Sequence, residues 1–231
     1  MSNFNRRLYY YDESGNIKYY NLLDYEKYAP VYKISRDECL KRFGLDHSTC
    51  NIEVLKKIRE LDLPNFYKIL EFLFDKDNNF VAYTMKHYDS TDKSIITMPS
   101  AYTLDNFYTL VGSFNILTDN DIAVDDLHSF NAIIGEENMT LIDADLYYFN
   151  YTNNDIEEKK KLSKYNLKYL LYLFSDIYGD AIIEVLGYDV HTTRAITSEL
   201  FNGVESIDNI SKKLTKYKYP IDYIKDIRKT L

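Results

Sequence analysis

Asp126 and Asn131 stand five positions apart in Ile122-Ala-Val-Asp-Asp-Leu-His-Ser-Phe-Asn-Ala-Ile-Ile134, and Asp143 follows Asn131 by twelve. Short apolar runs flank this polar stretch, so the spacing predicts loop residues carried on the ends of small strands. Oxygen side chains converging from adjacent loops suit a hard cation such as Mg²⁺, with phosphates and water completing its shell. A further carboxylate beside them can orient or deprotonate a hydroxyl nucleophile. Together these are the requirements of phosphoryl transfer, which depends on positioning and on neutralising charge. Plainer readings stand beside this one. Asp125 and Asp126 could form a loop-capping pair, Asp145 a second metal ligand or a helix N-cap, and His128 a brace for the loop. Lys33 alone could be a surface lysine on an edge strand.

The elements that must position these residues can be read from periodicity. Arg6–Tyr11 and Ile17–Leu22 are strand-like and flank Asp12-Glu-Ser-Gly-Asn16, a turn signal. Val31–Ile34 is a third short strand. Ser35-Arg-Asp-Glu38 has the form of a capping box and predicts a short helix ending near Gly44. A second helix is expected from Ser48 or Thr49 to Leu61, with Ile52, Leu55, Ile58 and Leu61 on one face and Pro64 beyond it. Phe66–Phe74 and Phe80–Met85 read as a hairpin around Asp75-Lys-Asp-Asn-Asn79. Thr103–Leu117 has helical spacing. The segments 122–124, 132–134 and 141–142 are short and apolar. From Ile156 onward helices are expected over 156–178, 180–187, 191–201, 206–216 and 220–230. Strands first and helices after predict an α+β chain.

The chemistry-bearing run Val124-Asp-Asp-Leu-His-Ser-Phe-Asn131 is similar to the protein-kinase catalytic loop H-R-D-L-x-x-x-N. It is closer still to the H-G-D-L-H-x-x-N loop of aminoglycoside and choline phosphotransferases. Leu141-Ile-Asp-Ala-Asp145 resembles the metal-binding D-F-G segment, or the I-D-x-D form of small phosphotransferases. On this resemblance Asp126 takes the catalytic-base place and His128 a supporting one. Asn131 and Asp143 take the metal-ligand places, with Asp145 a further candidate. The resemblance extends upstream. Lys33, in Val31-Tyr-Lys-Ile34, resembles the lysine of V-A-I-K, which holds nucleotide phosphates, and Glu53 on the following helix would be its ion-pair partner. Lys41 and Glu60 are the rival residues. Leu63-Pro-Asn-Phe66 is similar to the turn after the kinase helix, and Phe80–Met85 to the strand that enters the linker between lobes. The resemblance implies a kinase-like bilobal fold, with a sheet-and-helix lobe over 1–86 and a helical lobe over 87–231. It also implies use of ATP and Mg²⁺, with a hydroxyl acceptor on a protein or small molecule.

The sequence departs from the pattern in several places. No G-x-G-x-x-G is present, and only Ser14-Gly15-Asn16, with Gly15 18 residues before Lys33, offers a phosphate-covering turn. Ala144-Asp145 stands where Phe-Gly is usual, and no A-P-E follows. These departures keep two other classes in view: an inert kinase-like module that regulates a partner, and nucleotidyl transfer on the same scaffold.

Composition bounds the rest. In 231 residues, 45% hydrophobic and 28% charged, there is no membrane-length apolar run and no secretory h-region, so a cytosolic chain is expected. Cys39 and Cys50 cannot form a disulfide framework and read as structural thiols. His47, His87 and His191 show no metal-ligand spacing. A net charge of −8 argues against nucleic-acid binding through a whole-surface positive field. Residues 205–231 run the other way, with seven Lys/Arg against four acids. They read as a solvated amphipathic helix or, with Tyr217, Tyr219 and Tyr223 interleaved, as a surface for nucleic acid or an acidic partner.

Overall fold

A computed structural model describes residues 6–25, 31–43, 50–201 and 207–231, and the chain divides into two units. The first comprises residues 1–62 and 66–89, the second residues 63–65 and 90–231.

The first unit is a sheet with one helix. Its strands are β1 (Arg6–Tyr11), β2 (Ile17–Leu22), β3 (Asp24–Tyr25), β4 (Val31–Lys33), β5 (Glu38–Arg42), β6 (Ile69–Phe74) and β7 (Phe80–Lys86), with helix α1 (Ile52–Leu61) between β5 and β6. All described pairings are antiparallel, in the order β2-β1-β6-β7-β5-β4-β3. Two hairpins share one turn device. Asp12 Oδ1 accepts from the amides of Ser14 and Asn16 at 2.9 and 2.8 Å, with Gly15 at φ +80°. Asp75 Oδ1 does the same for Asp77 and Asn79. Each aspartate folds its own loop by standing in for a backbone acceptor.

The helix expected from Ser35 to Gly44 is corrected to strand β5. Ser35 Oγ does accept the Asp37 amide at 3.2 Å, but that closes a local turn, while the amides of Ile34 and Ser35 both bond the Glu38 carbonyl. Cys39, Leu40 and Lys41 are consecutive and all buried, so both faces of β5 are covered, while β4 and β7 pair along its two edges. A strand covered on both faces loses the alternation that would have identified it. The next helix also starts later than expected. Asn51 caps α1, its side chain accepting from the amides of Glu53 and Val54, and the expected start at Ser48 or Thr49 lies outside the described residues.

The second unit is mainly helical. Helix α2 (Ser100–Asp119) leads into β8 (Ile122–Ala123), β9 (Ala132–Ile134), β10 (Met139–Leu141) and β11 (Tyr148–Phe149). Then follow α3 (Ile156–Leu186), α4 (Val190–Phe201), α5 (Ile207–Leu214) and α6 (Pro220–Thr230). The core forms where α2 meets α3, with Phe107 edge-on to Phe174 at 4.6 Å. Helix α3 corrects the expected break between 178 and 180. Tyr178, Ala181 and Ile182 continue one buried face past Gly179. A mid-helix glycine costs about 1 kcal/mol, which that burial outweighs. No described helix is long and apolar enough to cross a membrane.

Candidate active site

The site is built where the short strands of the second unit end. β8 pairs with β11 and β9 with β10, so two small ladders hold the loops that contain Asp126, Asn131, Asp143 and Asp145. The 3-10 turn Ser129–Asn131 puts Asn131 in the interior, 6% exposed. There Asn131 Nδ2 donates to the carbonyl of Asp126 at 2.7 Å. The Ile142 amide donates to the Asn131 carbonyl at 2.9 Å. Two hydrogen bonds therefore tie Asp126, Asn131 and the Asp143 segment into one cluster.

Both aspartates sit in the left-handed region, Asp126 at φ +51° and Asp143 at φ +65°. Such a backbone costs a non-glycine residue about 1 kcal/mol or more and persists only where its surroundings enforce it. Burial, together with the charges of Asp143 and Asp126, pushes the Tyr147 phenol far above its ordinary value, so one fully buried ring feels both carboxylates.

Helix α3 enforces the loop. Asn166, 1% exposed, accepts the Val124 amide at 2.9 Å and donates to the Ile122 carbonyl at 3.0 Å. Asp176 accepts the Ser129 amide at 2.7 Å. Asp125 accepts the amide of Asp126 and the hydroxyl of Tyr169, both at 2.8 Å. On the far side the Leu141 amide bonds the Asn65 carbonyl, and Asn106 accepts the Met139 amide.

Mg²⁺ can be tested against the donors present. Asn131 spends its NH₂ group on Asp126, which leaves the amide oxygen to accept, and Asp143 adds a half-buried carboxylate on the adjoining strand end. Two hard oxygens of this kind fit Mg²⁺, which keeps water and phosphate in its remaining positions. No cluster of three His, Cys, Asp or Glu side chains that could hold a metal occurs among the described residues. Asp145 lies in a turn closed by the Tyr147 amide on the Ala144 carbonyl, and the next helix begins only at Ile156, so it is no helix N-cap. His128 places Nε2 3.9 Å from Asp126 Oδ1 and packs edge-on against Phe130, with Nδ1 buried and unbonded among the described residues.

The first unit departs from expectation in three ways. Glu53 is exposed and pairs with Lys56 at 2.9 Å, so the expected ion pair with Lys33 is not formed; Glu60 is likewise exposed and faces Lys57. Helix geometry explains this, since the buried face of α1 is Val54, Leu55 and Ile58 and both glutamates lie off it. Second, Lys33 is half-buried on β4, one strand in from the edge strand β3, whereas Lys41 is 7% exposed on β5. Register places Lys41 opposite Tyr83, and Tyr83 opposite Phe72, whose ring lies under Arg59 of α1. Lys41 thus occupies the helix-bearing face of a central strand. Third, Ser14-Gly15-Asn16 tips the β1–β2 hairpin, which joins the sheet beside β6, at the opposite end from β3 and β4. The segment 26–30 between β3 and β4 lies outside the described residues.

Sequence reading missed Asp176, Tyr169 and Asn166 as supports. Asn166 left one signal, as the polar member of the otherwise apolar series Leu162, Asn166, Leu170.

This is the architecture of a kinase-like fold, an antiparallel sheet with one helix among the described residues, followed by a helical part that carries the loops of Asp126 and Asp143. One solved structure supports the fold. The PK-1 kinase of Cydia pomonella granulovirus aligns with a TM-score of 0.51 at 15% identity, over 89% of this chain and 93% of that one. The Legionella pneumophila Lpg2603 kinase, solved bound to IP6, aligns with a TM-score of 0.44 at 16% identity, over 99% and 90%. No family model and no curated protein matches the chain.

Proposed function

We propose that this chain is an ATP- and Mg²⁺-dependent phosphotransferase that moves the γ-phosphoryl group to a hydroxyl of a protein or small-molecule acceptor. The observation that carries this reading is the Asn131–Asp126 hydrogen bond together with the backbone bond from Ile142 to Asn131. Asp126 orients the acceptor hydroxyl and takes its proton. Asn131 and Asp143 would hold Mg²⁺, with Asp145 as an additional oxygen, and the bound ion would supply neutralisation of phosphate charge. His128, with Nε2 3.9 Å from Asp126 Oδ1, stands beside that carboxylate in a supporting place. Lys41, on the helix-bearing face of the central strand β5, is better placed than Lys33 on β4 to be the phosphate-binding lysine.

The test is incubation with Mg²⁺ and ATP labelled at either the γ- or the α-phosphate, with candidate acceptors and lysate fractions. Transfer of γ-label only, abolished by Asp126→Ala with ATP affinity unchanged, supports the reading. Transfer of α-label points to nucleotidyl transfer instead. Lys41→Met should remove ATP binding and Lys33→Met should not; the reverse result would restore Lys33. One observation favours an inert module as the second reading. Glu53 is spent on an exposed pair with Lys56, so α1 supplies no glutamate of the expected kind. ATP binding without turnover of any label would select that reading.

A further inference from the structure

Asp125 stands beside the proposed catalytic carboxylate, where the related loops carry arginine or glycine, and the structure gives it a set of partners of its own. Its Oδ1 accepts the Asp126 amide at 2.8 Å and the Tyr169 hydroxyl at 2.8 Å. Tyr169 in turn accepts from the Tyr165 hydroxyl at 3.4 Å, one helical turn earlier on α3, and the two rings lie 5.1 Å apart. Tyr165 therefore donates to Tyr169 and Tyr169 to Asp125, and this short series ends on one carboxylate.

Such a series polarises in one direction, and its last member is a charge-assisted bond. Tyr148 lies five residues beyond Asp143 and pairs with Ala123, directly before Val124. The β8–β11 pairing thus ties the end of the Asp143 segment to the strand that leads into Asp125 and Asp126. Asp126 needs such a constraint, since its left-handed backbone is unfavourable for aspartate.

Resting on the phosphotransferase reading, we infer that Asp125 is a positioning residue for Asp126. Tyr169, itself held by Tyr165, fixes the Asp125 carboxylate in the orientation that keeps Asp126 left-handed and its side chain directed at the acceptor. What Asp125 contributes is an acceptor oxygen at a fixed place. Its negative charge is secondary.

The test compares Asp125→Ala, Asp125→Asn and Tyr169→Phe in the full chain, by steady-state kinetics and by amide hydrogen exchange of the 124–131 loop. Asn keeps the Oδ1 acceptor for both donors, and Ala keeps neither. Asp125→Ala should lower kcat roughly tenfold to a hundredfold, the worth of a hydrogen bond to a charged group, with KM for ATP unchanged. Asp125→Asn should recover most of that loss. Tyr169→Phe should fall between the two. Exchange at the Asp126 amide should quicken in Asp125→Ala and Tyr169→Phe and stay slow in Asp125→Asn. Equal losses in Asp125→Asn and Asp125→Ala would overturn the inference, since charge would then be the requirement. So would a Tyr169→Phe protein matching wild type in both measurements. Should wild type transfer no phosphate at all, the phosphotransferase reading fails by itself, and the exchange pattern still decides whether Asp125 and Tyr169 fix the loop.

Discussion

Asp126 and Asp143 are both held left-handed, as Asp62 and Asp121 are elsewhere, and both lie in loops a few residues past a two- or three-residue strand. Strain of this sort concentrates at functional sites, where the surroundings over-determine the backbone. It also makes substitution by asparagine a clean probe, because asparagine tolerates the left-handed region as well as aspartate does. Asp143→Asn should keep the fold and lose the carboxylate that Mg²⁺ prefers. Saturating ATP stabilises a binding protein by about 2.7 kcal/mol at one hundred times its Kd. The Mg²⁺-dependent part of that rise in Tm should be absent from Asp143→Asn and present in Asp77→Asn, a control on the β6–β7 turn. Equal Mg²⁺-dependent shifts in wild type and Asp143→Asn would take Asp143 out of the metal site. At this scale the sequence was informative. Asp126, Asn131 and Asp143 could be singled out from spacing and resemblance as one cluster, because short loops with characteristic residue types carry them. Lys41 could be named only as the rival of Lys33. Its place depends on which strand is central, and that is decided by pairing with β7, forty residues away in the chain.

At the scale of elements, the β1–β2 hairpin is clamped to the rest of its unit by charge. Arg59 of α1 makes two hydrogen bonds to Glu13, at 2.7 and 3.0 Å, and lies over the Phe72 ring at 4.5 Å. The Arg59 bond holds the Glu13 carboxyl below its ordinary value. Glu71 of β6 takes Lys18 and Tyr20 of β2, both at 2.8 Å. Arg59→Ala should destabilise the sheet unit by about 1 kcal/mol, partly through the ion pair and partly through the lost ring contact. Arg59→Lys should lose less, since it keeps the charge without the two-pronged geometry. Urea denaturation followed by far-UV signal measures both, and no change in Arg59→Ala would mean the clamp is idle. Helix α4 offers a pH test. Asp189 accepts from the Thr192 hydroxyl and from the amides of Thr192 and His191, which hold its carboxyl down at about 2. A depressed carboxyl stabilises the fold above its unfolded value near 3.8 and loses that contribution as pH falls toward 2. The stability gap between wild type and Asp189→Ala should therefore be constant above pH 5 and close between about pH 4 and 2. A gap that persists at pH 2 would show that the ionised carboxyl is not what caps the helix. Hairpins and terminal helices were legible because their signals are local: the Asp-to-Asn turns, Pro220 at a helix start, Gly187 at a helix end. β5 was not, because burial on both faces erased its period. The helix break expected near Gly179 failed for a related reason, since long-range packing outweighed a local propensity.

For the whole molecule the distribution of charge decides which partners are excluded. Residues 205–231 carry a net +3 and the others therefore −11. The basic segment is also less available than its composition suggests. Lys213 donates to the carbonyls of Glu199 and Leu200 near the C-terminal end of α4, where a cation also meets the negative end of the helix dipole. Lys229 pairs with Asp226 at 2.7 Å, Arg228 lies 5.8 Å from the Tyr188 ring and Lys218 5.3 Å from that of Tyr219. Phosphate binding by surface lysines needs several free cations in one field, and here the surrounding field is negative. The chain should therefore show no binding to labelled duplex or single-stranded nucleic acid in 150 mM salt up to about 0.1 mM protein, the weak end of ordinary non-specific affinity. Fluorescence anisotropy checks this directly. Saturable binding that weakens steeply with added salt, and that is lost on replacing Lys212, Lys216 and Lys225 by alanine, would instead make the C-terminal helices a nucleic-acid surface.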